Sequence, residues 1–125
     1  MVRMPEALTR TFTVTDADTA VAVGSGSLPV LGTPRLIAWC EAVTCGLLAD
    51  LEAPRTSVGT RVEVEHLAPN AVGDEVEVTA AITERAERTA AFAVEATHRG
   101  QVVGRGSITR AIVDGERFLA RLSAR

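Results

Sequence analysis

Two spacings of apolar residues divide the chain. Between Leu36 and Leu51 apolar positions recur every three or four residues; from Val58 onward they recur every second residue. The first spacing is that of a helix and the second that of strands. Thr33-Pro34 marks the helix start. A threonine hydroxyl can cap free backbone N–H groups, and proline suits the first helical position. Ala53-Pro54 marks its end. Leu36, Ile37, Cys40, Val43, Leu47, Leu48 and Leu51 form the stripe, and Ala38, Trp39 and Ala42 widen it until little polar surface remains. A helix like this is buried on most sides.

Upstream, Leu8–Thr15 alternates as a strand, and the Gly- and Ser-rich stretch after it reads as an irregular connection with a short helical turn near Asp18–Val21. Downstream, a strand over 58–67 places Val58, Thr60, Val62, Val64 and His66 on one face. Gly59, Arg61, Glu63 and Glu65 fall on the other. Alternation predicts three more strands over 75–83, 90–98 and 101–113, and a short terminal helix over 116–125. Short connections predict that consecutive strands are antiparallel neighbours. The expected class is α+β: about five strands curved around one central buried helix, in a single domain over 1–125. One such sheet covers only part of so apolar a helix. A second subunit is therefore expected to cover more, as a homodimer or higher homo-oligomer.

Composition removes several classes of partner. The net charge is −3, with no clustered basic face, and the aromatics are only Trp39, Phe12, Phe92 and Phe118. Nucleic acid is therefore not an expected partner. No apolar run approaches the roughly 18 residues of a membrane span, and no N-terminal segment resembles a signal peptide. Cys40 and Cys45 lie five residues apart; on one helix their directions diverge by about 140°, which disfavours a disulfide. They read as small buried hydrophobes with reduced thiols, which fits a cytoplasmic protein. Neither forms a ligand cluster with a nearby histidine, so neither metal nor cofactor is expected. His98 reads as an exposed strand end.

The candidate chemistry lies elsewhere. Glu41 is the only charge between Leu36 and Asp50, and His66 ends the apolar face of its strand. A carboxylate and an imidazole facing one core are costly unless they have partners or a task, and such a pair suits acid–base work. Each also has an ordinary reading: Glu41 as a helix residue reaching a polar gap, His66 as a core histidine bonded to a backbone carbonyl.

Four positions carry a resemblance to a known family. Thr33 precedes the helix and Glu41 follows eight residues later; Gly59 opens the next strand and His66 lies seven residues beyond it. In this order and spacing the chain resembles the hot-dog-fold acyl-CoA thioesterases, in the branch that includes fluoroacetyl-CoA thioesterase. The resemblance implies hydrolysis of a small or medium acyl-CoA to free acid and CoA. It implies Thr33, Glu41 and His66 as catalytic residues and Gly59 as a backbone contact near the thioester carbonyl. His66 would serve as base and Glu41 as nucleophile or water activator, with Thr33 and Gly59 holding the acyl group. A thiol titrates near ~8.5, so the leaving group needs little protonation and no metal is required. Thr33 can equally be a helix cap, and Gly59 a bulge or close backbone approach. Eight helical residues span about 12 Å. Thr33 and Glu41 of one helix therefore flank a substrate or act from two subunits.

Family members specific for fluoroacetyl-CoA guard the site with aromatics before the threonine. Here no aromatic occurs between Phe12 and Trp39, so the resemblance does not carry that specificity over. The Arg117, Arg121 and Arg125 row reads as a solvated face, with contact to CoA phosphates as the alternative. A non-catalytic acyl-CoA or acyl-ligand binder on the same fold is the main rival. A hydratase would need an Asp near His66, which is absent. A purely structural dimerisation module leaves Glu41 and His66 without a role.

Overall fold

The computed structural model describes residues 6–125. Strand β1 (Ala7–Thr13) leads through a 3-10 turn (Asp16–Asp18) to a one-turn helix α1 (Ala20–Val23) and the long helix α2 (Thr33–Leu47). Four strands follow, β2 (Arg55–His66), β3 (Glu75–Arg85), β4 (Thr89–His98) and β5 (Gln101–Asp114), then helix α3 (Gly115–Ala124). The five strands form one antiparallel sheet in the order β1-β3-β4-β5-β2. Helix α2 packs on the inner face, chiefly against β3 and β1. This is the helix-in-curved-sheet arrangement that the resemblance implies.

Alternation in the strands supplies the core. Val76, Val78 and Ala80 of β3, Val94 and Ala96 of β4, and Ile108 of β5 are buried against Leu36, Trp39, Cys40 and Val43 of α2. Each large apolar side chain so buried contributes about 1.5–3 kcal/mol. Phe12 of β1 stacks on Trp39 with centroids 4.9 Å apart. The helix ends earlier than Ala53-Pro54 suggested. The Leu48 N–H closes a tight turn on the Cys45 carbonyl, and Leu48 drops into a second apolar cluster with Ala90 and Phe92.

Two features depart from strict alternation. First, β2 and β3 are consecutive but not neighbours: β2 pairs with β5 at the far edge of the sheet. The connecting segment is held instead by Leu67 and Ala68 N–H bonds to the Val103 carbonyl and by the Asn70 carbonyl accepting from Leu31 N–H. Second, a β-bulge sits at Thr60: Gly59 pairs with Arg110 while Arg61 pairs with Thr109. One extra residue exchanges the faces. Gly59 therefore shares the inner face with Val62, Val64 and His66, not the outer face expected of it.

One long edge and one helix face stay uncovered. Strand β2 pairs on one side only, and its inward Val62 is 37% exposed. Ala38 and Cys45 of α2 are also exposed. Both cysteines are free; Cys40 is buried as expected and Cys45 is not. Burial, then the charge of Glu41, pushes the Cys40 thiol up to about 11, which disfavours the thiolate. No helix among the described residues is long and apolar enough to cross a membrane.

Candidate active site

The N-terminal end of α2 meets the C-terminal end of β2. Thr33 is the first residue of α2, but Gly32 occupies the capping position and no side chain caps the helix. The Thr33 hydroxyl is instead hydrogen-bonded to His66 Nδ1 at 2.7 Å. This corrects the reading of Thr33 as a helix cap. Nor does His66 bond a backbone carbonyl: its Nε2 is buried with no protein partner. Burial depresses the His66 pKa below its ordinary value of 6.5, because an apolar surround disfavours the charged ring. A hydroxyl 2.7 Å from a neutral imidazole has the geometry of a nucleophile and its base. A cavity of about 280 Å³ adjoins the pair, lined by Thr33, His66 and segments from α1 and the end of β2.

The middle of α2 carries a second group of polar residues. Arg110 of β5 is only 7% exposed. Its Nε donates to Ser57 Oγ at 2.9 Å and an Nη to the Ser57 carbonyl at 3.2 Å. The other Nη donates to Glu41 Oε2 at 3.3 Å. Three contacts fix the guanidinium, and the guanidinium in turn aims the carboxylate. Glu41 thus lies over Gly59, where a Cβ would collide with Glu41 Oε2. The glycine is needed for this close approach, and the bulge at Thr60 turns it toward the helix. Gly59→Ala should leave the fold intact, because the obstructed atom is the end of a flexible side chain. Thiol release from an acyl-CoA is expected to fall about tenfold or more while Tm moves by only a few degrees. Unchanged turnover would remove Glu41 from the site.

All four residues singled out by sequence line the inner face, in two pairs: Thr33 with His66, and Glu41 with Gly59. Within one chain the pairs do not touch. Arg110 and Ser57 were missed by sequence reasoning. A signal was present for Arg110. It falls between Ile108 and Ile112 in strict alternation, so it is a charge on an apolar face, the same anomaly that marked His66. Ser57 carried no such mark. His98 departs from the expected exposed end: its Nδ1 bonds the Glu75 carbonyl at 2.7 Å. A larger depression of about 560 Å³ lies on the outer face near Glu65, Glu95 and Arg105, away from both pairs. Among the described residues no cluster of His, Cys, Asp or Glu is placed to hold a metal.

The curved sheet and the match to a family model place the protein among the hot-dog-fold thioester hydrolases. Residues 14–116 match the model of the fluoroacetyl-CoA-specific thioesterases (FlK), and the chain belongs to that family. The structure of the fluoroacetyl-CoA thioesterase FlK superposes with a TM-score of 0.90 at 24% identity, over 100% of this chain and 98% of that one. An FlK variant in complex with fluoroacetate and CoA gives 0.86 at 27% identity, over 94% and 99%. A hypothetical protein of Thermus thermophilus, described as a thioesterase superfamily member, gives 0.86 at 23%, over 99% and 94%. No curated protein matches the chain by sequence.

Proposed function

We propose that the chain hydrolyses acyl-CoA thioesters at a site shared by two protomers, with Thr33 and His66 from one and Glu41 and Gly59 from the other. The observation that carries this reading is the bond between the Thr33 hydroxyl and His66 Nδ1. With the hydroxyl donating, Nδ1 is the accepting nitrogen and Nε2 bears the ring proton. Thr33 Oγ attacks the thioester carbonyl as its proton passes to Nδ1. The carbon–sulfur bond breaks, CoA leaves as the thiol after taking that proton, and the acyl group stays on Thr33 as an ester. Water then attacks the ester, giving one proton to Glu41 of the second protomer; the Thr33 Oγ–acyl bond breaks, that proton is returned to Thr33 Oγ, and the free acid departs with the hydroxyl and the Glu41 carboxylate restored. The Gly59 backbone, cleared of any side chain, lets the reacting carbonyl approach.

The two-protomer form is favoured by the helix itself. Thr33 and Glu41 are separated by about 12 Å along α2, so within one chain they do not meet directly. The unpaired β2 edge and the exposed face of α2 offer the surface on which a second copy would bring the pairs together. The free thiols of Cys40 and Cys45 suit the reducing cytoplasm. A non-catalytic binder would leave the hydroxyl aligned on the imidazole nitrogen without a chemical role.

Release of CoA thiol, followed as a function of pH, tests the reading. The base must be neutral, and burial lowers the His66 pKa. The acid limb of kcat/KM should therefore have its midpoint below 6.5, with activity lost as pH falls through it. A midpoint well above that value would exclude His66 as the base. Absence of thiol release from every acyl-CoA would exclude hydrolysis.

A further inference from the structure

The 280 Å³ cavity beside Thr33 and His66 has a defined chemical character. Ala20, Val30 and Leu31 supply part of its wall, and Leu67, Ala68 and Pro69 supply more. Among the described residues, no ionisable side chain apart from His66 lines it; Ser25 and Thr33 are the other polar members.

Backbone bonds hold these walls in place. Ala20 N–H donates to the Val30 carbonyl at 2.7 Å, and Gly32 N–H to the Asp18 carbonyl at 2.9 Å. Leu31 N–H donates to the Asn70 carbonyl at 2.9 Å, and Val30 bridges to Ala71. A Cβ at Gly32 would sit 2.8 Å from Val23 Cγ2, so α1 is seated directly on the chain leading into α2. This pocket, open to solvent on one side, is a built feature of the fold. The Thr33–His66 hydrogen bond lies on its lining, so the pocket opens directly beside the reacting hydroxyl.

We infer that this cavity is the acyl pocket and that it selects an uncharged aliphatic acyl group of about six or seven carbons. The inference rests on the hydrolase reading. At ~30 Å³ for each water-sized group, the space holds about nine, of which the thioester and attacking oxygen use three or four. A two-carbon acyl group leaves most of the walls unfilled. Each added methylene removes apolar surface from water and raises selectivity about fourfold until the space is full.

Two measurements test this. The first is thiol release from acetyl-, butyryl-, hexanoyl- and octanoyl-CoA. The kcat/KM for hexanoyl-CoA is expected to exceed that for acetyl-CoA by at least about tenfold. A maximum at acetyl- or fluoroacetyl-CoA overturns the pocket assignment and leaves the hydrolase reading intact. The second is calorimetric titration with non-hydrolysable alkyl-CoA thioethers, which reads the pocket without turnover. Tighter binding of the hexyl than the ethyl thioether supports the pocket even if no acyl-CoA releases thiol, and equal affinity overturns it. Ser25→Phe and Ala68→Leu intrude on the space from different walls. The hexanoyl-to-acetyl ratio, or the corresponding thioether ratio, should collapse in at least one folded variant. An unchanged ratio in both overturns the location.

Discussion

Replacing His66 with alanine is expected to slow thiol release by about 10²–10⁴-fold, the usual contribution of a positioned general base. Thr33→Ala should have a loss of the same order, because it removes the atom that the base serves. The two losses should not add: in the double variant turnover is expected to match the worse single variant, since nucleophile and base act as a unit. Thr33→Ser keeps the hydroxyl and should retain much of the activity. Thr33→Val keeps the shape and should retain none beyond the alanine level. This pattern separates chemistry from packing. The fold should survive in every case, because the Thr33 hydroxyl caps no helix and its partner is the ring nitrogen of His66. Wild-type turnover in Thr33→Val would reassign attack to water, with Thr33 reduced to orienting the ring.

The parts of this site that sequence made legible are those written as breaks in a pattern. Glu41 interrupts an apolar helix and His66 an apolar strand face. Helix α2 and the alternation of β3, β4 and β5 were legible because burial on one face imposes a period. What stayed hidden was geometry that no period encodes. A strict two-residue alternation placed Gly59 opposite His66, and only the bulge at Thr60 brings it to the inner face. A bulge costs one residue and leaves no compositional trace here beyond the glycine itself. The pairing of β2 with β5 joins segments far apart along the chain, which no local period encodes.

Thr33 shows the limit most clearly. A threonine before Pro34 at a helix start has an obvious local task, and that local expectation competed with the distant one. The structure gives the cap to Gly32 and frees the hydroxyl for a residue 33 positions away. Arg110 is the converse case. It breaks the Ile108–Ile112 alternation as plainly as His66 breaks its own. It is also the most buried charge of the site, and its bonds to Ser57 decide where the Glu41 carboxylate stands.

A mixture of two inactive variants is expected to regain activity. His66→Ala lacks the base but keeps Glu41, and Glu41→Ala lacks the carboxylate but keeps Thr33 and His66. Each variant alone should be slower than wild type by about 10²-fold or more. If each site draws Thr33 and His66 from one chain and Glu41 from the other, a heterodimer of the variants contains one fully intact site and one doubly damaged one. Random reassociation of equal amounts makes about half the dimers mixed, so the mixture should recover about one quarter of wild-type activity. If a site were built from one chain, every site in the mixture would carry a lesion and nothing would be recovered. The measurement is thiol release after co-refolding, with sedimentation to count the dimers. Its force comes from α2: a rigid helix holds Thr33 and Glu41 about 12 Å apart, and Arg110, bound to Ser57 in the same sheet, draws the Glu41 carboxylate over Gly59. Recovery therefore requires a second helix to deliver the carboxylate, and a null result would confine the chemistry to the Thr33–His66 pair of a single protomer.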